Sequence, residues 1–384
     1  MREQEAFLIL NKIVETIKER EMKKILLTIL FCLLMATPFF AQDNGGKISG
    51  YMFGDYFYNI SRDSLINDLS NKALEGEKDL NGFQFRRIYF TYDYKISDQF
   101  STRFRLESQT LIGVNNTIFT AFIKDAYLNW KNIFEGSNFI FGIQPPPTYT
   151  VSEDFWNYRS LDRTIMDLRR IASSRDFGAS LKGRLNSSGS IKYWLMYGNG
   201  NAFETEGDRF KRAYAHIELQ PSEALKLTLY SDYRFKPKKE YTQVAQSYNN
   251  DALTSALFIG YQNDNTFRIG AESFLQITYN DLIQTEETEY LIQNRNGLGV
   301  SLFGWYKFTD LLVGVGRYDY YDPNMSADFK GDSRNYFILG LSFILHEKVT
   351  ITPNFLLETY ETPVNGIAID PSLTGRITFY YEFL

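Results

Sequence analysis

Apolar and polar residues alternate along most of the chain. In ALKLTLYSDYRF, Ala224 to Phe235, the residues Leu225, Leu227, Leu229, Tyr233 and Phe235 fall on one face, and Lys226, Thr228, Asp232 and Arg234 on the other. In FSTRFRLE, Phe100, Phe104 and Leu106 oppose Arg103, Arg105 and Glu107, and in RITFYYEF, Ile377, Phe379, Tyr381 and Phe383 oppose Arg376, Thr378 and Glu382. Each segment has one greasy face and one charged face. Sixteen such segments follow one another, beginning near residues 47, 83, 99, 118, 138, 176, 190, 211, 224, 251, 266, 296, 310, 334, 347 and 373. Most reach the ~9 to 11 residues that a tilted strand needs to cross a bilayer.

The connections alternate as well. Short turns at Ser97-Asp98, Glu135–Ser137, Asn186–Gly189, Pro221–Glu223, Asn263–Asn265, Thr309-Asp310 and His346-Glu347 separate longer loops near 61–81, 110–117, 145–175, 200–210, 236–250, 280–294, 322–333 and 360–371. An even strand count with short turns at one end and long loops at the other predicts an all-β fold, a transmembrane antiparallel barrel of about sixteen strands. The competing reading of the same alternation is an exported soluble β-sandwich, whose strands look similar one at a time.

Composition agrees with half-buried strands. The chain has 27 Tyr, 32 Phe and 4 Trp among 384 residues, yet its mean hydropathy is below zero. Met22 to Gln42, MKKILLTILFCLLMATPFFAQ, has the basic start, apolar centre and small residue before cleavage of an export signal. Residues 1–21 then read as an over-extended start, 22–41 as the signal and 42–384 as the barrel. Removing residues 1–41 takes six basic and five acidic residues from 41 and 46, leaving 35 against 41, a net charge of −6. That balance suggests neither nucleic acid nor a strongly anionic surface as partner. With no later apolar run of ~20 residues, an exported chain enters a membrane only as a barrel.

SLDRTIMDLRRI, Ser160 to Ile171, is the exception. Leu161, Ile165 and Leu168 share a helical face, which predicts a short helix in the third long loop. A barrel of sixteen strands is too wide for its side chains to fill, so an inward-folded loop carrying this helix would narrow it. The candidate constriction residues are Glu153, Asp154, Arg159, Asp162, Arg163, Asp167, Arg169 and Arg170.

GYMFGDYFYN, FQFRRIYFTYDYKISDQFSTRFRLE, IKDAYLNW, the GIQPPP loop ending SSRDFGASLKG, and YGNGNAF before KRAYAHIELQPSEALKLTLYSDY are similar to the phosphate-selective porin family, the O and P type porins. The resemblance covers Gly50 to about Tyr233. It implies a homotrimer of sixteen-strand barrels in a Gram-negative outer membrane, with outer-membrane lipid outside, small hydrophilic solutes or anions inside, and inward loops setting selectivity.

By parity the pore-lining candidates are Arg87, Lys95, Arg103, Arg105, Glu107, Lys182, Arg184, Lys192, Arg212, Lys226 and Arg234; adding Asp93, Glu218 and Asp232, the early strands present ten basic and four acidic residues. In later strands Arg268, Lys307 and Arg376 balance Glu272, Glu358 and Glu382. Two readings of the basic wall stay open: it concentrates anions, or its charges hold water and pair with acids of the third loop. The aromatics Tyr56, Phe57, Tyr58, Tyr318, Tyr320 and Tyr321 are expected at the membrane interfaces. Two histidines, no nucleophile motif and no metal-ligand spacing argue against an enzyme and give no cofactor. The functional expectation is a passive porin, with a solute-specific uptake channel as the alternative and a barrel hydrolase behind it.

Overall fold

The computed structural model describes residues 46–64, 76–110, 119–202, 204–243, 246–263, 266–284, 290–326, 331–363 and 366–384. The expected signal, the 1–21 segment and residues 42–45 lie outside them.

Five strands, β1 (Lys47–Ser61), β2 (Asn81–Lys95), β3 (Phe100–Thr110), β4 (Phe119–Phe134) and β5 (Ser137–Gln144), precede the third loop. After it come β6 (Asp176–Arg184), β7 (Ile191–Gly198), β8 (Arg212–Leu219) and β9 (Leu225–Arg234). A small ribbon, β10 (Lys239–Tyr241) with β11 (Gln246–Tyr248), stands in the fifth loop. The wall resumes with β12 (Ala252–Asn263), β13 (Phe267–Gln284), β14 (Tyr290–Thr309), β15 (Leu312–Asp322), β16 (Arg334–His346), β17 (Val349–Tyr360) and β18 (Ser372–Glu382). All but β10 and β11 pair antiparallel in one closed barrel of sixteen strands, sealed where β18 meets β1. The Phe383 amide adds a bond to the Gly50 carbonyl at 2.9 Å.

Fifteen of the sixteen expected starts fall within two residues of the observed ones, because the alternation that defines a strand is the one a lipid–water boundary imposes. The exception is β14, which begins at Tyr290 rather than 296 and pairs with β13 as far as Gln284↔Tyr290. Beyond the bilayer neither face needs to be apolar, so QNRNG reads as loop while its backbone stays in the ladder. Asp319 lies within β15, fully buried against Arg317.

Outward residues such as Leu229, Ile259, Leu302, Leu339 and Phe355 are 44–66% exposed, a continuous apolar band suited to lipid. The inner face has two parts. On β12–β17 it carries Phe258, Phe274, Phe303, Val313, Val315, Tyr336, Ile338 and Leu356, all nearly inaccessible. On β2–β9 it carries most of the charge. Tyr56, Tyr58, Tyr318 and Tyr320 keep the outward parity expected of them; Tyr321 turns inward, with the Arg169 guanidinium 5.3 Å from its ring centre, and Phe57 shares the inward parity of Asp55 and Asn59.

Two bulges break parity. Phe53 pairs with Arg87 and Gly54 with Phe85, leaving Arg86 as an extra inward residue; Arg105 pairs with Asp125 and Leu106 with Ile123, leaving Lys124. Within β5, Gly142 has φ +131°, and a Cβ there would lie 2.2 Å from the Ala126 carbonyl oxygen, so the close approach of β4 requires glycine here.

Candidate functional site

The third loop leaves β5 through Pro145, Pro146 and Pro147 and forms two helices, α1 (Thr150–Trp156) and α2 (Ile165–Leu168). The helix expected over Ser160–Ile171 is thus reduced to one turn, and α1 was not anticipated. The wall takes up the backbone that the longer helix would use: the Leu161 carbonyl accepts from Arg376 at 2.7 Å and Arg86 at 3.0 Å. Asp162 accepts from the Tyr336 hydroxyl at 2.6 Å and from its neighbour's amide at 2.8 Å. Arg170, expected in the last helical turn, has φ +56°.

The loop lies across the barrel interior. Phe155, Trp156, Leu161 and Leu168 pack with the apolar inner wall of β12–β17, while Tyr149, Ile165, Met166, Ile171 and Ala172 pack with Met196, Tyr214, Tyr230 and Phe274. Burying one such large side chain contributes about 1.5–3 kcal/mol. Gly260 makes room for the ring of Phe155, which a Cβ would approach to 2.8 Å. Polar contacts reach the remaining wall. Ser152 donates to Glu272 at 2.7 Å, Arg169 meets Glu358 at 2.5 Å, Lys124 donates to Ser174 at 2.9 Å, and Arg175 binds Asp125. Arg317 donates to the Arg163 carbonyl.

Most of the predicted lining cations face an acid. Arg103 grips Asp93 at 2.7 and 2.9 Å, and Arg212 grips Asp232 at 2.6 and 2.8 Å. Arg87 and Lys124 share Glu107 at 3.4 and 2.8 Å, Arg105 stands 3.6 Å from Asp125, and Lys192 meets Glu218 at 2.9 Å. Lys95 and Lys307 sit at the turn end, paired with Asp98 and Asp310. Lys182, Arg184, Lys226 and Arg234 have no carboxylate within ion-pair distance among the described residues. Charged groups of the interior outside the sequence candidates include Asp55, Arg86, Lys124, Asp125, Arg317 and Asp319. Arg317 and Asp319 continue the parity of Val313 and Val315 and were legible; Arg86 and Lys124 come from bulges, which alternation conceals.

Within the loop Arg159 joins Glu153 to Asp167, the latter at 2.8 Å. Burial opposes ionisation of Asp167, yet the charges of Arg159, Arg163 and Arg87 outweigh it and hold the carboxyl well below the usual range. For Asp154 the balance is reversed: confinement by the surrounding wall, reinforced by Glu153, lifts it to about 6 even though its side chain reaches lumen water.

Three cavities surround the loop. One of about 400 Å³ on the long-loop side is lined by Arg87, Lys124, Arg163, Arg170, Arg212 and Arg234. One of about 720 Å³ on the short-turn side is lined by Tyr51, Arg103, Arg105, Arg159 and Tyr380. Ser174 borders both. A third, of about 430 Å³, lies between α1 and β6–β8.

The barrel has the fold of outer-membrane porins. It is similar to the outer membrane channel DcaP of Acinetobacter baumannii (TM-score 0.63, 11% identity, 88% of this chain and 97% of that one). It is also similar to an anion-selective porin from Comamonas acidovorans (0.58, 10%, 88% and 99%) and to the trimer form of OmpT from Vibrio cholerae (0.56, 13%, 88% and 99%). No family model matches the chain, and no curated protein matches it in sequence.

Proposed function

We propose that this protein is a Gram-negative outer-membrane porin through which small hydrophilic solutes diffuse passively. The observation that carries the reading is the third loop, fastened inside a sixteen-strand barrel between two charged cavities that share Ser174. Its apolar residues pack against β12–β17 and against Met196, Tyr214 and Tyr230 of β7–β9, which leaves passage along the charged wall of β2–β4, where both cavities meet Ser174. In this reading the loop is the constriction, and Glu153, Arg159, Asp167 and Ser174 line it with Arg87, Arg105 and Lys124 of the wall. A modest preference for anions, phosphate among them, follows from Lys182, Arg184, Lys226 and Arg234, which have no carboxylate within ion-pair distance among the described residues. The likeness to channel barrels supports a channel rather than a catalyst. The anion-selective and trimeric neighbours support anion preference and a homotrimer.

The test is single-channel recording in planar bilayers under a salt gradient. A water-filled pore gives ohmic steps and a reversal potential displaced modestly toward anions; absence of conductance from folded protein rejects the reading. A solute-specific uptake channel is the second reading, favoured by the cavity beside α1, and saturation of flux separates it from a general pore.

A further inference from the structure

The cavity between α1 and β6–β8 is separate from the two that meet at Ser174. Three adjacent strands build its floor, with Lys182 of β6 paired in register with Trp194 of β7 and Trp194 with His216 of β8. The Lys182 ammonium stands 4.5 Å from the centre of the Trp194 ring and has no carboxylate partner among the described residues; nor has Arg184. The Trp194 indole N–H is buried and finds no protein acceptor. An indole N–H can only donate, and so can an ammonium and a guanidinium. Three donors without acceptors thus border one recess of about 430 Å³, within the range of small-molecule sites, about 300–1,000 Å³.

The charges of the lining set the valence. Lys182, Arg184 and Lys192 line it together with Asp154 and Glu218; three cations against two carboxylates leave one positive charge. Val151 of α1 and the Trp194 ring supply an apolar surface. We infer that this recess is a binding site for a small organic monocarboxylate, its carboxylate held by Lys182, Arg184 and the Trp194 N–H and its apolar body against Val151 and the indole. The inference rests on the porin reading and adds a solute class to it: such acids are detained in passage, so their flux saturates.

The probe is benzoate, added to purified protein conducting KCl in planar bilayers, with acetate as the same carboxylate lacking the ring. Benzoate is expected to reduce each channel's own benzoate-free current along a saturating curve, with acetate at least about tenfold weaker. Losing one charge-assisted bond is worth about a factor of ten. Lys182→Gln and Trp194→Phe should therefore each raise the half-saturation concentration about tenfold, while Lys182→Arg keeps it. Heat-modifiable migration establishes that each variant is folded. Current that falls linearly with benzoate in the wild type, or equal saturation in all variants, overturns the site and leaves the porin reading standing. Chloride replacing benzoate with the same saturation assigns the recess to inorganic anions and also overturns the proposal. Folded protein that conducts no KCl overturns both.

Discussion

Arg169 of the third loop and Glu358 of β17 meet at 2.5 Å with side chains 1% and 2% exposed, the guanidinium also standing 5.3 and 5.9 Å from the ring centres of Tyr321 and Tyr336. A pair so far from water gives little net stability, but removing one member leaves a bare charge among aromatic rings. Arg169→Met is expected to destabilise the barrel by about 3–5 kcal/mol, and adding Glu358→Leu to recover most of it. Urea unfolding of the heat-modifiable form measures both. If the single and double variants lose the same amount, the two residues do not act as a pair.

Alternation carried the architecture because a membrane barrel repeats one constraint sixteen times: lipid on one side of every strand, and water or the loop on the other. It could not carry the interior. Arg86 and Lys124 face inward through bulges, and neither FQFRRIYF nor AFIKDAYL marks which residue is extra. The dry wall of β15–β17 was invisible for another reason. YFILGLSFIL is apolar on both faces, as is the VGV that precedes Arg317 in β15, and only the packing of Trp156, Leu161 and Leu168 against Val313, Tyr336 and Ile338 explains why. The helix boundaries failed where the wall competes for backbone groups, at Leu161 and Asp162.

The lipid face gives a second prediction. Leu229 is 55% exposed on the outer side of β9, and Phe235 lies beyond the strand's external end, edge-on to Tyr233 at 4.9 Å. Leu229→Arg is expected to cost about 2–4 kcal/mol, and Phe235→Arg about 0–1, because the penalty falls with distance from the bilayer midplane. Refolding into lipid vesicles, read by heat-modifiable migration, compares them. Equal losses would place both at the same depth.

Acidification gives a third. Confinement and Glu153 raise Asp154 to about 6, so its carboxylate is charged at about pH 7 and takes up a proton as pH falls through about 6. The lumen then loses one negative charge facing Lys182 and Lys226. The reversal potential should move toward anions between about pH 7 and about pH 5. Asp154→Asn should remove the step and resemble the wild type at the lower pH. A step that persists in the variant belongs to another group.

The last prediction concerns which cations choose the ion. Arg103 and Arg105 share the lumen parity of Arg87 and Lys95 on the neighbouring strand, but Arg103 is held bidentately by Asp93, and Arg105 donates to Thr91 at 2.8 Å beside Asp125. A cation with its carboxylate in contact presents mainly a dipole to the pore, and its field decays faster than that of a lone charge. Lys226 and Arg234, on the inner face of β9, have no such partner among the described residues. Their potential extends over a Debye length of about 8–10 Å, a large part of the width of a pore partly filled by its loop. Replacing Lys226 and Arg234 together with Gln should move the reversal potential toward cations more than replacing Arg103 and Arg105 with Gln, although each pair removes the same formal charge. The second pair also uncovers Asp93, which adds negative charge to the pore and makes the comparison a severe one. If Arg103 and Arg105 dominate despite their partners, the constriction lies at β3, against the loop, and the open stretch of β9 has no part in selection.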